Sequence, residues 1–342
     1  MKKLEQIING TFFIKGVFIE GWYDLSSKKF HQDLEGRKKY TCIPAPVNAH
    51  THIGDSFVNT EPRGTLEEVV GPGGLKYRMQ DKESPGSILN GIRRSARYMK
   101  RNGTASFFDY REVGMSKTAQ FKAMKRSHEG ALIFCRPDAG SELDSISDLV
   151  DGVGISAVSD IEMDLAMDII QNARRNDLMV STHFSENRVE DFGMLSEFDP
   201  DFVVHCSGLK KDKEFQDLSE ISEYAVICPR SNRFFGIEAD YSRYEENGLN
   251  VMIGTDNVMV ATPDIFQEME FLFRIQKNRS RMEPEEILKY ACETPVRFLK
   301  EQGIKTGNNW ICIEGENLSP YTIITGYSGY RKIYSEMPRI LS

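Results

Sequence analysis

Between Cys42 and Gly254 the chain repeats one unit, a short apolar and β-branched run followed by a longer stretch with helical spacing. The runs are Cys42–His50, Thr104–Asp109, Ala131–Cys135, Gly152–Val158, Met179–His183, Phe202–His205, Tyr224–Cys228 and Asn250–Gly254. Ser87–Arg101, Met115–Ser127, Ile161–Asn176 and Asp264–Asn278 carry the helical pattern. Strands that alternate with helices pair in parallel, because only a crossover element returns the chain to the same edge. Eight such strands close a (β/α)8 TIM barrel, and residues 44–305 are a fitting length for one. An open doubly wound sheet is the competing architecture. No Gly-x-Gly-x-x-Gly follows the first strand, which counts against it.

The ends of the chain differ from its middle. Residues 1–43 read as short strands and turns, and 306–342 contain the strand-like Trp310-Ile-Cys-Ile-Glu and Tyr321-Thr-Ile-Ile-Thr. The two segments are expected to pair as the N- and C-terminal parts of one small β-sandwich. Asn59–Gly86, with Gly71-Pro72-Gly73-Gly74 at its centre, reads as a long loop over the first strand.

Composition narrows the function class. The 43 Lys and Arg against 51 Asp and Glu leave a net charge of −8, poorly suited to nucleic acid or an anionic membrane. No segment reaches the roughly 20 apolar residues that span a bilayer. Lys15 and Glu20 interrupt the apolar stretch behind Met1-Lys2-Lys3, so no signal core is read there. The six cysteines, at positions 42, 135, 206, 228, 292 and 312, form no Cys-x-x-Cys pair. Several lie in strand-like runs and read as small buried hydrophobes, with a reducing, cytoplasmic setting the simplest reading. The expected partner is a small molecule, with a homo-oligomer left open.

Barrel sites lie at the carboxyl ends of the strands. His50-Thr51-His52 ends the first run, and residues two apart on a strand project from one face. His183, His205 and Asp256 end later runs, so four of the chain's six histidines fall at strand ends. Three imidazoles and a carboxylate suit a divalent metal ion, Zn2+ or Fe2+, with a position left for water. His31 and His128 lie outside the pattern and read as structural or surface residues, while Cys206 and Cys228 read as packing. Arg111, Arg136 and Arg230 also follow strand ends, where guanidinium forks suit the carboxylate or phosphate of an anionic substrate. Ion pairing with Asp109, Glu112 or Asp138 is the alternative for these arginines.

Five segments carry a resemblance: Pro46-Val-Asn-Ala-His50-Thr-His52, Thr182-His183-Phe-Ser-Glu186, Val204-His205-Cys, Cys228-Pro-Arg-Ser231-Asn232 and Ile253-Gly-Thr-Asp256-Asn. Together they resemble the amidohydrolase superfamily, in its metal-dependent deaminase and chlorohydrolase branch, over most of the chain. The resemblance implies one divalent metal ion, foremost Zn2+ with Fe2+ as the alternative, on His50, His52, His183 and Asp256. It further implies that Asp256 takes a proton from the attacking water, that His205 polarises the reacting centre, and that Glu186 is the general acid–base. Many relatives bridge two metals with a carboxylated lysine on the fourth strand. No lysine stands between Lys125 and Lys210, so one metal is expected.

The implied activity is hydrolysis of a carbon–nitrogen bond other than a peptide bond, foremost deamination of a heterocyclic amine by a metal-bound hydroxide. Opening of a cyclic amide or imidazolone-type ring is the enzymatic alternative. A catalytically silent barrel used for binding is the alternative from another class.

Overall fold

The computed structural model describes residues 7–27, 29–33, 36, 39–112, 118–280, 282–306, 309–326 and 331–334. Four strands precede the barrel: β1 (Ile7–Ile14), β2 (Val17–Asp24), β3 (Lys29–His31) and β4 (Tyr40–Pro44). The β1–β2 hairpin turns through Lys15 and Gly16, whose φ values of 51° and 77° match the twist of the flanking strands. The barrel strands are β5 (Val47–His52), β6 (Ser106–Glu112), β7 (Ala131–Arg136), β8 (Gly152–Ile155), β9 (Met179–Phe184), β10 (Phe202–His205), β11 (Tyr224–Ile227), β12 (Asn250–Ile253) and β13 (Asp256–Asn257). The expected single run Cys42–His50 is therefore two strands. Pro44 and Pro46 have no N–H for a ladder, and the chain changes sheets between them.

The barrel segments form one curled parallel sheet in the order β12-β11-β10-β9-β8-β7-β6-β5-β13. β12 and β13 are one strand in two pieces. Gly254 N–H donates to Ile227 O on the β11 side, and Thr255 N–H donates to His50 O on the β5 side. The eighth strand thus bridges the seventh and the first. Inside, alternate residues such as Phe108, Tyr110, Phe134, Phe202 and Val226 fill the curl. The opposite face packs against helices that include Pro85–Arg101, Thr118–Ser127, Met163–Arg175 and Ile265–Gln276. Positions 115–117, expected in the second of these, lie outside the described residues.

The ends depart from the expected sandwich. β14 (Trp310–Glu314) and β15 (Arg331–Tyr334) join the N-terminal strands in a single six-stranded sheet, ordered β15-β14-β4-β1-β2-β3. The segment expected as a strand at Tyr321 is instead the helix Pro320–Gly326. Ser319 caps its first turn by accepting from Thr322 N–H, and Ile323 and Ile324 bury against the barrel helices. Within Asn59–Gly86 two short helices, Leu66–Val70 and Leu75–Lys82, replace the expected loop. The first opens on a capping box between Thr65 and Glu68. Among the described residues no helix is long and apolar enough to cross a membrane.

Two cysteines also depart from the reading of all six as free. Antiparallel register sets Cys42 of β4 opposite Cys312 of β14, and the two form a disulfide. Cys135, Cys206, Cys228 and Cys292 are free and buried, as expected of small hydrophobes. The pair removes the cysteine argument for a reducing compartment. It closes a loop across 270 residues, a length at which a cross-link contributes about 2–4 kcal/mol by restricting the unfolded chain. Unreduced, denatured protein is expected to titrate four thiols, and Cys42→Ser to lower Tm by about 5 °C or more. Six reactive thiols and an unmoved Tm would remove the cross-link.

Candidate metal centre

His50 and His52 stand at the end of β5, where the pairing with β6 shifts register between Asn48 and Thr51. Asn48 ties this strand to the last one, donating to Thr255 Oγ1 at 2.8 Å and accepting from Thr255 N–H at 3.0 Å. Gly254 permits the approach, since a Cβ there would lie 2.6 Å from that of His50. Asp256 follows at φ 60°, and Ser185, His205 and Cys206 also hold left-handed backbone at 49°, 74° and 57°. Non-glycine residues in this region are strained, and here they gather where the side chains converge.

The donor atoms meet closely. His50 Nε2 lies 3.3 Å from Asp256 Oδ1 and 3.3 Å from His183 Nε2, while His52 Nε2 lies 3.5 Å from the same Asp256 oxygen. Bonds of about 2.0–2.1 Å to a tetrahedral ion set its ligand atoms roughly 3.3–3.4 Å apart. His183 Nδ1–H donates to Ile155 O at 3.1 Å, which turns the lone pair of its neutral Nε2 inward toward His50. The lone pair of His183 Nε2 thus faces the centre, where a cation would satisfy it together with the Asp256 oxygen and the other imidazoles. Burial, the largest cause in each case, pushes the pKa of His50, His52 and His183 down. Neutral imidazole is the ligand form. Burial would raise the Asp256 carboxyl, but the hydrogen bond from His50 and the surrounding imidazoles of His205, His50 and His52 outweigh it and hold it well below the usual range. Ser231 donates to Asp256 Oδ2, so Oδ1 faces the imidazoles. The donor set fits a divalent cation.

A second pair adjoins the first. Glu186 Oε1 stands 3.6 Å from His205 Nε2 and has no hydrogen-bond partner. His205 Nδ1–H donates to Asn232 Oδ1 at 3.2 Å, an orientation set by Asn232 Nδ2, which donates to Ser207 Oγ. Burial first, then the charges of Asp256 and Glu190, raises the Glu186 carboxyl well above its ordinary range. Burial pushes His205 down. Both shifts favour a proton on the carboxyl over one on the imidazole. His50, His183 and His205 form one close set of potential ligands, His50, His52 and Asp256 another, and Glu186, His205 and Asp256 a third. All the candidate metal and acid–base residues read from the sequence are thus together.

Three supporting residues carried no role in the sequence reading. Ser231 and Asn232 lie on the short helix Pro229–Phe234, inside a segment quoted for its resemblance, and orient Asp256 and His205. The ring of Tyr110 packs 4.4 Å from that of His50, and its hydroxyl meets Ser181 Oγ at 2.5 Å. Its signal was the period-two alternation with Phe108 on β6.

The arginines separate. Arg230 does not line the cavity; its Nε meets the buried Glu268 at 2.5 Å, and the rest of the guanidinium bonds Thr262, Asp264 and Gln267. The expected substrate role is replaced there by the ion-pair alternative. Arg111 reaches the cavity but is buried, with Nε donating to Tyr110 O and lying 3.3 Å from Asp109 Oδ2. Burial lifts Asp109 to about 6 against that attraction. Arg136 lines the cavity and donates from Nη1 to Ser156 Oγ at 3.1 Å. His31 stacks on Trp22 in the terminal sheet, and His128 packs beneath Thr104, both remote from the site. The cavity holds about 180 Å3 and is walled by His52, His183, His205, Glu186 and Asp256 with Lys76 and Tyr77 from the helix Leu75–Lys82.

The amidohydrolase family matches residues 41–303, and the chain belongs to it. A candidate aminohydrolase of Archaeoglobus fulgidus is 31% identical over 263 residues, 75% of this chain and 76% of that protein. An uncharacterized protein of Methanocaldococcus jannaschii is 28% identical, over 86% of this chain and 82% of its own length. Among solved structures, a zinc-bound adenosine deaminase from Xanthomonas campestris superposes with a TM-score of 0.71 at 16% identity, covering 93% of this chain and 88% of that one. Atrazine chlorohydrolase from Arthrobacter aurescens, complexed with zinc, gives 0.74 at 14% identity over 98% and 96%. At such identities these two likenesses are of fold. The chain is a hydrolase of carbon–nitrogen bonds other than peptide bonds.

Proposed function

We propose that this hydrolase deaminates a heterocyclic amine with a single zinc ion held by His50, His52, His183 and Asp256. One observation carries the reading: Glu186, partly buried in the cavity wall, holds a buried Oε1 with no hydrogen-bond partner beside the donor cluster, where burial raises its carboxyl well above the ordinary range. A single cation is supported by the fourth barrel strand. Its inward positions are Gly152 and Gly154, and a Cβ at Gly154 would lie 2.4 Å from the Tyr110 ring, so that ring fills the space a longer side chain there would need.

Bound there, zinc supplies a water whose pKa falls from 15.7 toward about 7. The chain's own groups do the rest. Asp256, ionised and steadied by Ser231, accepts a proton from the attacking water. Glu186 delivers its proton to a ring nitrogen or to the departing amine, and the neutral Nε2 of His205 beside it steadies that proton. A cavity of about 180 Å3, below the roughly 300–1,000 Å3 common for drug-sized ligands, suits a small one- or two-ring base.

The test is an ammonia-release screen of zinc-loaded protein over purines, pyrimidines and pterins. Release of ammonia from one class supports the reading. Hydrolysis without ammonia points to ring opening, and no hydrolysis in any class overturns it.

A further inference from the structure

The wall of the cavity holds a charge that the mechanism does not use. Along β7, Leu132 and Phe134 point into the barrel, and the same alternation brings Arg136 into the cavity at the mouth. There the guanidinium is half-buried and makes one hydrogen bond, to the neutral hydroxyl of Ser156. No carboxylate among the described residues forms an ion pair with it; the field of Asp160 is felt without contact. A guanidinium carries five N–H donors in a planar fork, and four remain beyond the bond to Ser156. Holding such a group half-buried without a counter-ion is costly unless a ligand supplies one. Arg111 differs, because Asp109 already neutralises it.

We propose that the substrate of this site carries an anionic group, a carboxylate or a phosphate, which the fork of Arg136 receives while the reacting ring lies against Glu186. The inference rests on the reading of the site as a small-molecule deaminase. The group sits on the substrate away from the scissile carbon–nitrogen bond. Ser156 sets the plane of the guanidinium, so two N–H groups meet two anion oxygens side by side.

Two experiments separate this proposal from the one it rests on. The first compares matched neutral and anionic bases in the ammonia assay: adenosine against adenosine monophosphate for phosphate, and pterin against pterin-6-carboxylate for carboxylate. Wild type is expected to prefer the anionic member of one pair, which also tells the two anions apart. Arg136→Gln is expected to reduce the ratio of the two kcat/KM values about 10–100-fold, mainly through KM. An unchanged ratio overturns the proposal while leaving deamination standing. The second measures the rise in Tm that inorganic phosphate or benzoate gives wild type and Arg136→Gln, each loaded with the same metal. A smaller rise in the variant supports the anion site even if no base is deaminated, and equal rises overturn it.

Discussion

Glu186→Gln is expected to lower kcat by about 10²–10⁴-fold while the protein keeps its full complement of metal. Glutamine preserves the shape of the side chain and can still donate a hydrogen bond, but it has no proton to give up. The carboxyl is held protonated because burial and the nearby Asp256 and Glu190 all disfavour its charged form. A group with a raised pKa keeps its proton below that pKa and loses it as pH climbs through it. Wild-type kcat should therefore fall on the alkaline side as Glu186 ionises, and the variant should lack that limb of the profile. Oε1 is 3.6 Å from His205 Nε2, close enough for the pair to share the consequences of either change. His205 should thus titrate differently in the variant, which nuclear magnetic resonance of the imidazole would detect. Wild-type turnover in Glu186→Gln would take this residue out of the mechanism.

The site was more legible in the sequence than the edges of the fold. Parallel strands end where the barrel mouth begins, so residues such as His183 and His205 were placed by the ends of their own apolar runs. His50 and His52 needed only the alternation of a strand. Information that depends on distant partners was not legible. Nothing local marks Cys42 and Cys312 as a pair, because antiparallel register across 270 residues brings them together. Arg230 resembled a substrate ligand until the fold placed Glu268 against it from 38 residues away. Other errors came from reading side-chain propensity over backbone chemistry. Thr322, Ile323 and Ile324 suggested a strand, yet Ser319 and Pro320 before them are a helix start. Pro44 and Pro46 were likewise read through as strand although neither can donate a hydrogen bond. Tyr110 lies one residue past the expected run Thr104–Asp109 and is informative only with Gly154 against its ring.

The ligand assignment makes the other large prediction. His52→Ala is expected to bring bound metal from about one ion per chain to near zero after dialysis against a chelator. The imidazole is one of three whose Nε2 atoms face the Asp256 oxygen or one another at 3.3–3.5 Å, and a three-donor remnant opens the centre to solvent. His52 is the informative choice because its ring faces the cavity, whereas His50 lies wholly buried under Tyr110 and Gly254. Removing His52 enlarges a space water already reaches, so circular dichroism should remain that of the folded protein. Tm should fall in metal-containing buffer only, since a ligand that binds the folded state alone stabilises it by RT ln(1 + [L]/Kd). His205→Ala is the counterpart. With its Nδ1 engaged by Asn232 and its Nε2 toward Glu186, His205 should leave metal content intact and remove turnover. The opposite pattern, metal kept in His52→Ala and lost in His205→Ala, would transfer the fourth position to His205. The centre would then be built on His50, His183 and His205, whose donor atoms also lie within 4.8 Å of one another.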